Sequence, residues 1–268
     1  MKSNNFDTIA HLYDETRQYP EFVYENIFKL IEALGQLDSK EAKICEVGVG
    51  TGRMAIPFIK KGYAYTGIDI SNNMLSKFKD KIANIDHINQ VEVFQADATH
   101  LPFENSRFDM VWGTKVLRHI SNWKGVLQEA KRVLKENGVF LHGEEYWVVA
   151  PPTVKVRRQW EKFIFEQNER PNRPFGVTDD HEIAKYLEEI GGKSRILTLS
   201  TWPVHETFLQ KIEHFATRAG SSTFGISDEA LENSVEKLKQ WAYHEYGNLN
   251  YPYSGIRGFR VVMGTFDS

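Results

Sequence analysis

The segment Glu46-Val-Gly-Val-Gly-Thr-Gly52 follows an apolar run, Ala42 to Val47, and precedes a helical pattern that starts near Arg53. A strand that ends in closely spaced glycines and turns into a helix constrains the fold strongly, because such turns belong to architectures that alternate strands with helices. The turn also leaves backbone N–H groups unobstructed at the positive end of a helix dipole, where a nucleotide-like ligand can approach. The 268 residues, 41% of them hydrophobic, are enough to bury a substantial core. A net charge of −3 gives no global electrostatic case for nucleic acid or an anionic membrane.

The alternation continues downstream. Lys43–Val47 reads as a strand and Arg53–Lys61 as a helix; Tyr65–Ile70 is a second strand, followed by a helix from Ser71, its N-cap, to Ile82. Val91–Gln95 and Phe108–Trp112 are the third and fourth strands. Trp123–Leu134 is helical, Asn137-Gly138 stops it, and Val139–Gly143 is the fifth strand. Ligands of such sheets bind beyond the carboxyl ends of the strands, near the topological switch point. Elsewhere, residues 5–35 look helical, Asp180–Ile190 is a helix closed by Gly191-Gly192, and Ser194–Leu199 alternates like a strand. Residues 205–247 give two helical stretches, and Phe259–Phe266 is a final apolar strand. The expected organisation is one domain over 1–268, with a cofactor-binding core at about 41–146. Helical lid elements cover it at about 1–35, 147–180 and 203–255.

A glycine turn can serve tight geometry alone, so its neighbours decide. The second strand ends in Gly67-Ile-Asp69, which places an acid roughly 20 residues past the glycines, where a carboxylate accepts hydrogen bonds from ribose hydroxyls. An N-cap for the next helix is the rival role, though Ser71 is available for it. The glycines run Gly48-x-Gly50-x-Gly52 after Glu46, not the G-x-G-x-x-G of dinucleotide sites. Asp97-Ala98 follows the third strand. That Asp can accept from the exocyclic amine of adenine, with the next N–H facing a ring nitrogen, or it can be a plain turn residue.

Taken in order, Glu46–Gly52, Gly67-Ile-Asp-Ile-Ser71, Gln95-Ala-Asp-Ala98 with Leu101-Pro-Phe103, and Phe108-Asp-Met-Val111 resemble the class I S-adenosylmethionine-dependent methyltransferases. The likeness is to the small-molecule type 11 group of ubiquinone and menaquinone biosynthesis methyltransferases. It runs on through Leu117-Arg-His-Ile120, Glu129-Ala-Lys-Arg-Val-Leu134 and Asn137-Gly-Val139, and covers roughly residues 6–146. The resemblance implies an α/β fold: a Rossmann-like, doubly wound sheet of seven strands, the last antiparallel, with helical lid insertions. It implies that Glu46, Gly48, Gly50 and Gly52 pass the methionine part of S-adenosylmethionine. Asp69 then holds the ribose with Ile70 beside it, and Asp97 and Ala98 take the adenine. Thr114 would lie near the sulfonium. Tyr13 and Arg17, in Phe6-Asp-x-x-Ala10-x-x-Tyr13-Asp14-x-x-Arg17, would close over the cofactor; a plain packing helix is the rival. Lys115 and Arg118 depart from the family pattern. Two cations beside a sulfonium are unfavourable, so both are expected to point away or to meet an acidic substrate.

Methyl transfer to yield S-adenosylhomocysteine needs an in-line nucleophile and no metal. A base matters only where the nucleophile must lose a proton. His119 is the first candidate, against a structural histidine on a helix start; Glu145 or Glu144 is the second, and both line the expected substrate cavity with Tyr146. Lid aromatics (Trp147, Trp160, Trp202, Trp241, Tyr243, Tyr246, Tyr251, Tyr253) are expected mostly to pack the lid. A few would line an apolar pocket for a flat or greasy small molecule. Thr114-Lys-Val-Leu117 replaces the Asp/Asn-Pro-Pro-Tyr run of nucleic-acid amino methyltransferases, which argues against a nucleic-acid base as substrate. The lone Cys45 excludes a disulfide within the chain. No run reaches the ~18 residues of a membrane span, and the start Met-Lys-Ser-Asn-Asn-Phe-Asp lacks an apolar targeting segment, so a soluble cytoplasmic protein is expected. The rivals are an S-adenosylmethionine-binding protein without transfer activity and an NAD-dependent dehydrogenase.

Overall fold

Four consecutive buried residues, Ile44 to Val47, make β1 (Lys43–Val47) the centre of the sheet, since a parallel strand covered on both faces must be apolar on both. The computed structural model, which describes residues 18–86 and 88–266, sets β1 between β2 (Ala64–Asp69) and β4 (Phe108–Thr114), parallel to both. β3 (Val91–Gln95) extends the sheet beyond β2, and β5 (Leu134–Val149) extends it beyond β4. With β6 (Lys193–Glu206) and β7 (Tyr253–Thr265), the sheet has seven strands in the order β3-β2-β1-β4-β5-β7-β6, and its last strands are antiparallel. The order reverses direction beside β1, so the carboxyl ends of β1 and β4 flank the switch point, and the glycine turn leaves from there.

Helix α1 (Glu21–Leu34) buries Val23, Ile27, Phe28 and Ile31, and Phe28 meets Phe58 of α2 (Ile56–Lys60) edge-on at 5.3 Å. Phe58 in turn packs on Trp112 of β4 at 5.5 Å. α3 (Asn72–Ile82) is capped by Ser71, whose hydroxyl accepts from the Met74 N–H at 3.1 Å, as its sequence suggested. α4 (Trp123–Val133) presents Val126, Leu127, Ala130 and Val133 to the opposite face of the sheet, in one core with Cys45, Val47, Val111 and Phe140. α6 (Asp180–Glu189) adds Ile183 and Leu187 to the same core.

Three elements differ from their sequence reading. α2 begins at Ile56, not Arg53: Pro57 has no N–H to give the Arg53 carbonyl, so the bond from the Ile56 N–H to the Gly52 carbonyl is not followed by a second one. β5 starts directly after α4, with Asn137 in the left-handed region and a register irregularity opposite Phe108–Met110. β6 and β7 run several residues beyond their apolar stretches. Pro203 is compatible with β6 because that strand lies at the sheet edge.

Two compact units emerge from the chain. The first holds the described residues through Glu145, Pro174–Ser200 and those from Phe259 onward. The second, Tyr146–Arg173 and Thr201–Gly258, has its own core among α5 (Lys155–Phe165), α7 (Phe208–Ala216) and α8 (Asp228–Tyr246). There Trp160 stacks on Phe215 at 4.5 Å and donates its indole N–H to the Ser234 hydroxyl at 2.9 Å. Trp241, Tyr246 and Tyr253 surround Phe208, so these aromatics pack their own unit, while Tyr243 and Tyr251 stay exposed. No helix among the described residues is long and apolar enough to cross a membrane.

Candidate active site

Gly48, Gly50 and Gly52 all lie at positive φ, a conformation that costs other residues about 1–2 kcal/mol. Their surroundings differ. A Cβ on Gly48 would press on Val116, 2.5 Å away, and one on Gly52 would overlap the Phe78 ring. A Cβ on Gly50 would meet no described residue within 4 Å. Gly48 and Gly52 therefore keep the turn tight against its own protein, and the approachable face of the turn is at Gly50. Because α2 is short and starts later than expected, the helix dipole contributes little here. The turn offers shape and backbone polarity instead.

The ends of the neighbouring strands carry acids. Asp69, at the end of β2, accepts the Gly50 N–H through Oδ2 at 2.9 Å and the Ser71 N–H through Oδ1 at 2.9 Å. The carboxylate thus ties the glycine turn to the start of α3 and remains half-buried beside Gly50. Ile70 follows it with 54% of its surface exposed. Asp97 uses only Oδ1 internally, accepting from the Thr99 N–H and hydroxyl at 2.9 and 2.8 Å. Its Oδ2 and the Ala98 N–H have no partner among the described residues, which leaves one acceptor and one donor side by side at the end of β3.

Glu46 is almost wholly buried in β1. Its Oε2 accepts from the Tyr65 hydroxyl at 2.6 Å, and Tyr65 accepts from the Trp112 indole N–H at 2.9 Å. Burial pushes the Glu46 carboxyl up to about 8, against the Tyr65 hydrogen bond and the Arg53 charge, which pull it down. A buried acid beside an open turn suits a ligand ammonium, which would restore its charge.

Beyond β4, Thr114 is half-buried and Lys115 adopts the left-handed conformation. Neither Lys115 nor Arg118 points away, and each meets a carboxylate of its own chain. Consecutive residues of β5 project to opposite faces, so Glu145 pairs with Lys115 and also accepts from the Tyr19 hydroxyl at 2.7 Å. Glu144 takes Arg118 Nε at 3.0 Å, and burial raises its carboxyl to about 7. His119 closes the 3₁₀ turn Leu117–His119 and donates its backbone N–H to Val116. His142, behind Glu144, is fully buried with neither ring nitrogen partnered, and burial lowers it to about 3, a neutral imidazole.

Tyr13 and Arg17 lie outside the described residues. Sequence reasoning passed over Tyr19 and Arg53: the guanidinium sits 4.6 Å over the Tyr19 ring and donates to the Tyr24 hydroxyl at 3.0 Å. The Tyr65–Trp112 relay was equally hidden. Each pairing joins separate strands or helices, so no local spacing marks it. Among the described residues no group of His, Cys, Asp or Glu could hold a metal ion.

The unused Asp97 Oδ2 and Ala98 N–H match the exocyclic amine and a ring nitrogen of the adenine of S-adenosylmethionine. Comparison with known proteins agrees. A family model described as a methyltransferase domain matches residues 45–142. An uncharacterised protein of Methanocaldococcus jannaschii is 36% identical over 140 residues, which are 52% of this chain and 60% of that protein. A demethylmenaquinone methyltransferase of Clavibacter sepedonicus is 26% identical over 75% of this chain and 76% of its own length. Among solved structures, the YcgJ protein of Bacillus subtilis superposes with a TM-score of 0.61 at 16% identity, covering 91% of this chain and 99% of that one. A phosphoethanolamine N-methyltransferase of Haemonchus contortus, solved with phosphomonomethylethanolamine and S-adenosylhomocysteine, gives 0.52 at 17%, covering 98% of this chain and 58% of that one. The ordered strand-end residues and the matched methyltransferase domain, residues 45–142, agree with the resemblance to the class I S-adenosylmethionine-dependent methyltransferases of the type 11 group.

Proposed function

We propose that the protein transfers the methyl group of S-adenosylmethionine to a small organic molecule by in-line displacement. The observation that carries this reading is the Gly50 position, clear of described residues and held by the Asp69 carboxylate, together with the unused Asp97 Oδ2 and Ala98 N–H at the end of β3. When bound, the cofactor supplies an electrophilic methyl on a sulfonium, which needs no acid or metal to leave. The residues supply position. Glu46 would take the ammonium, Asp69 the ribose and the Asp97–Ala98 pair the adenine, with Thr114 near the sulfonium as the resemblance implies. Holding an acceptor about 3 Å away in line can by itself provide much of the rate.

Of the candidate bases, Glu145 is already engaged by the Tyr19 hydroxyl and the Lys115 ammonium. His119 is the base of choice where the acceptor must lose a proton. The relatives named as demethylmenaquinone methyltransferases make ring-bearing small molecules the first acceptors to try, and an apolar or aromatic acceptor remains the proposed class. Nucleic acid is not a proposed partner, and the cytoplasm, where a chain with one buried free thiol needs no oxidising compartment, is the proposed location. Calorimetry with S-adenosylhomocysteine and with NAD tests the reading: heat with the first alone is expected, and no heat with it overturns the proposal. Asp69→Ala should weaken that binding by about 1.5–3 kcal/mol, the range for hydrogen bonds to a charged group.

A further inference from the structure

Lys115 combines two unfavourable features at one position. It is a lysine at φ +55°, where asparagine or glycine would be expected, and it carries an ammonium that burial drives toward its neutral form. Strain and desolvation that coincide at the carboxyl end of a central strand point to use, not accident. The turn it belongs to touches the glycine turn directly, since Val116 fills the space where a Gly48 Cβ would stand.

The donors of this turn are only partly used. The Lys115 ammonium meets Glu145, and no other acceptor among the described residues takes its remaining N–H groups. Arg118 spends Nε on Glu144, and its terminal NH₂ groups likewise have no described acceptor. Both side chains retain partial exposure, 24% and 31%. Against these stand Glu145 and Glu144, the second pushed up to about 7 by burial. Each cation of the turn thus faces one carboxylate, burial suppresses part of the Glu144 charge, and a bound sulfonium would add positive charge beside them. An amine acceptor that arrives protonated meets repulsion here, whereas an anionic oxygen finds unused N–H donors.

We propose that Lys115, oriented by Glu145 and flanked by Arg118, holds an anionic oxygen of the methyl acceptor, so that the protein selects a small acid over an amine. The oxygen belongs to a carboxylate or to an ionisable hydroxyl. This rests on the reading of the chain as a methyltransferase. Its test is calorimetry on the protein saturated with S-adenosylhomocysteine, using benzoate, phenol and benzylamine as matched probes at neutral pH. Benzoate or phenol should bind at least about tenfold tighter than benzylamine, as expected for a charge-assisted hydrogen bond. The stronger of the two identifies the source of the oxygen. Lys115→Met should abolish the preference and Lys115→Arg should keep it, with S-adenosylhomocysteine affinity little changed in both. Equal binding, tighter binding of benzylamine, no binding of either acid, or a preference that survives Lys115→Met overturns the proposal. Should Lys115→Met fail to fold, Arg118→Met gives the same reading through a smaller loss of preference. Failure of S-adenosylhomocysteine itself to bind would strike the methyltransferase reading instead.

Discussion

Single residues of the glycine turn have separable jobs. Gly50→Ala adds a methyl group to open space and a left-handed strain of about 1–2 kcal/mol; it should weaken S-adenosylhomocysteine binding in calorimetry while the protein stays folded. Gly52→Ala drives the same methyl group into the buried Phe78 ring, so thermal unfolding should show the larger loss there. Glu46 is expected to set a pH dependence of stability. Its folded pKa, about 8, lies above the ordinary 4.5, so the folded state binds this proton more tightly than the unfolded chain does. The contribution is fully present below the ordinary value and is lost as pH rises through about 8. Glu46→Gln should flatten the urea midpoint across that window, and an unchanged profile would remove Glu46 as its source. Glu46 is legible in the sequence as a residue before the glycines. Its burial and relay are not, because Tyr65 and Trp112 come from other strands.

At the level of elements, periodicity and caps located most strands and helices within a residue or two. β1, β3 and the start of α3 follow directly from apolar runs and from Ser71. Ser71→Ala should cost about 1 kcal/mol in chemical denaturation, since it leaves the Met74 N–H without its cap. The errors have causes of their own. α2 is truncated by Pro57, and β5, β6 and β7 extend through polar, proline- and glycine-containing stretches such as Trp202-Pro203 and Ser254-Gly255. Those stretches become strand through pairing with neighbours, a tertiary effect that local propensity does not carry.

For the whole molecule, two cores share the load of stability, and β5, β6 and β7 each run from one unit into the other. Trp160→Ala removes a fully buried side chain from the second core together with the indole N–H that Ser234 accepts, so a loss of about 3–5 kcal/mol is expected in thermal unfolding. By itself, the sequence determined the alternating α/β plan and the cofactor class, and it put Glu46, Asp69 and Asp97 with Ala98 at strand ends. Each of these rests on short-range spacing: glycines within one turn, or an acid at the end of one apolar run. Only the tertiary structure decided which glycine faces open space, that Tyr65 and Trp112 buttress Glu46, and that Lys115 and Arg118 are met by Glu145 and Glu144. Those facts depend on strands far apart in the chain lying side by side, and on burial, which changes the charge of a carboxyl without changing a letter of the sequence.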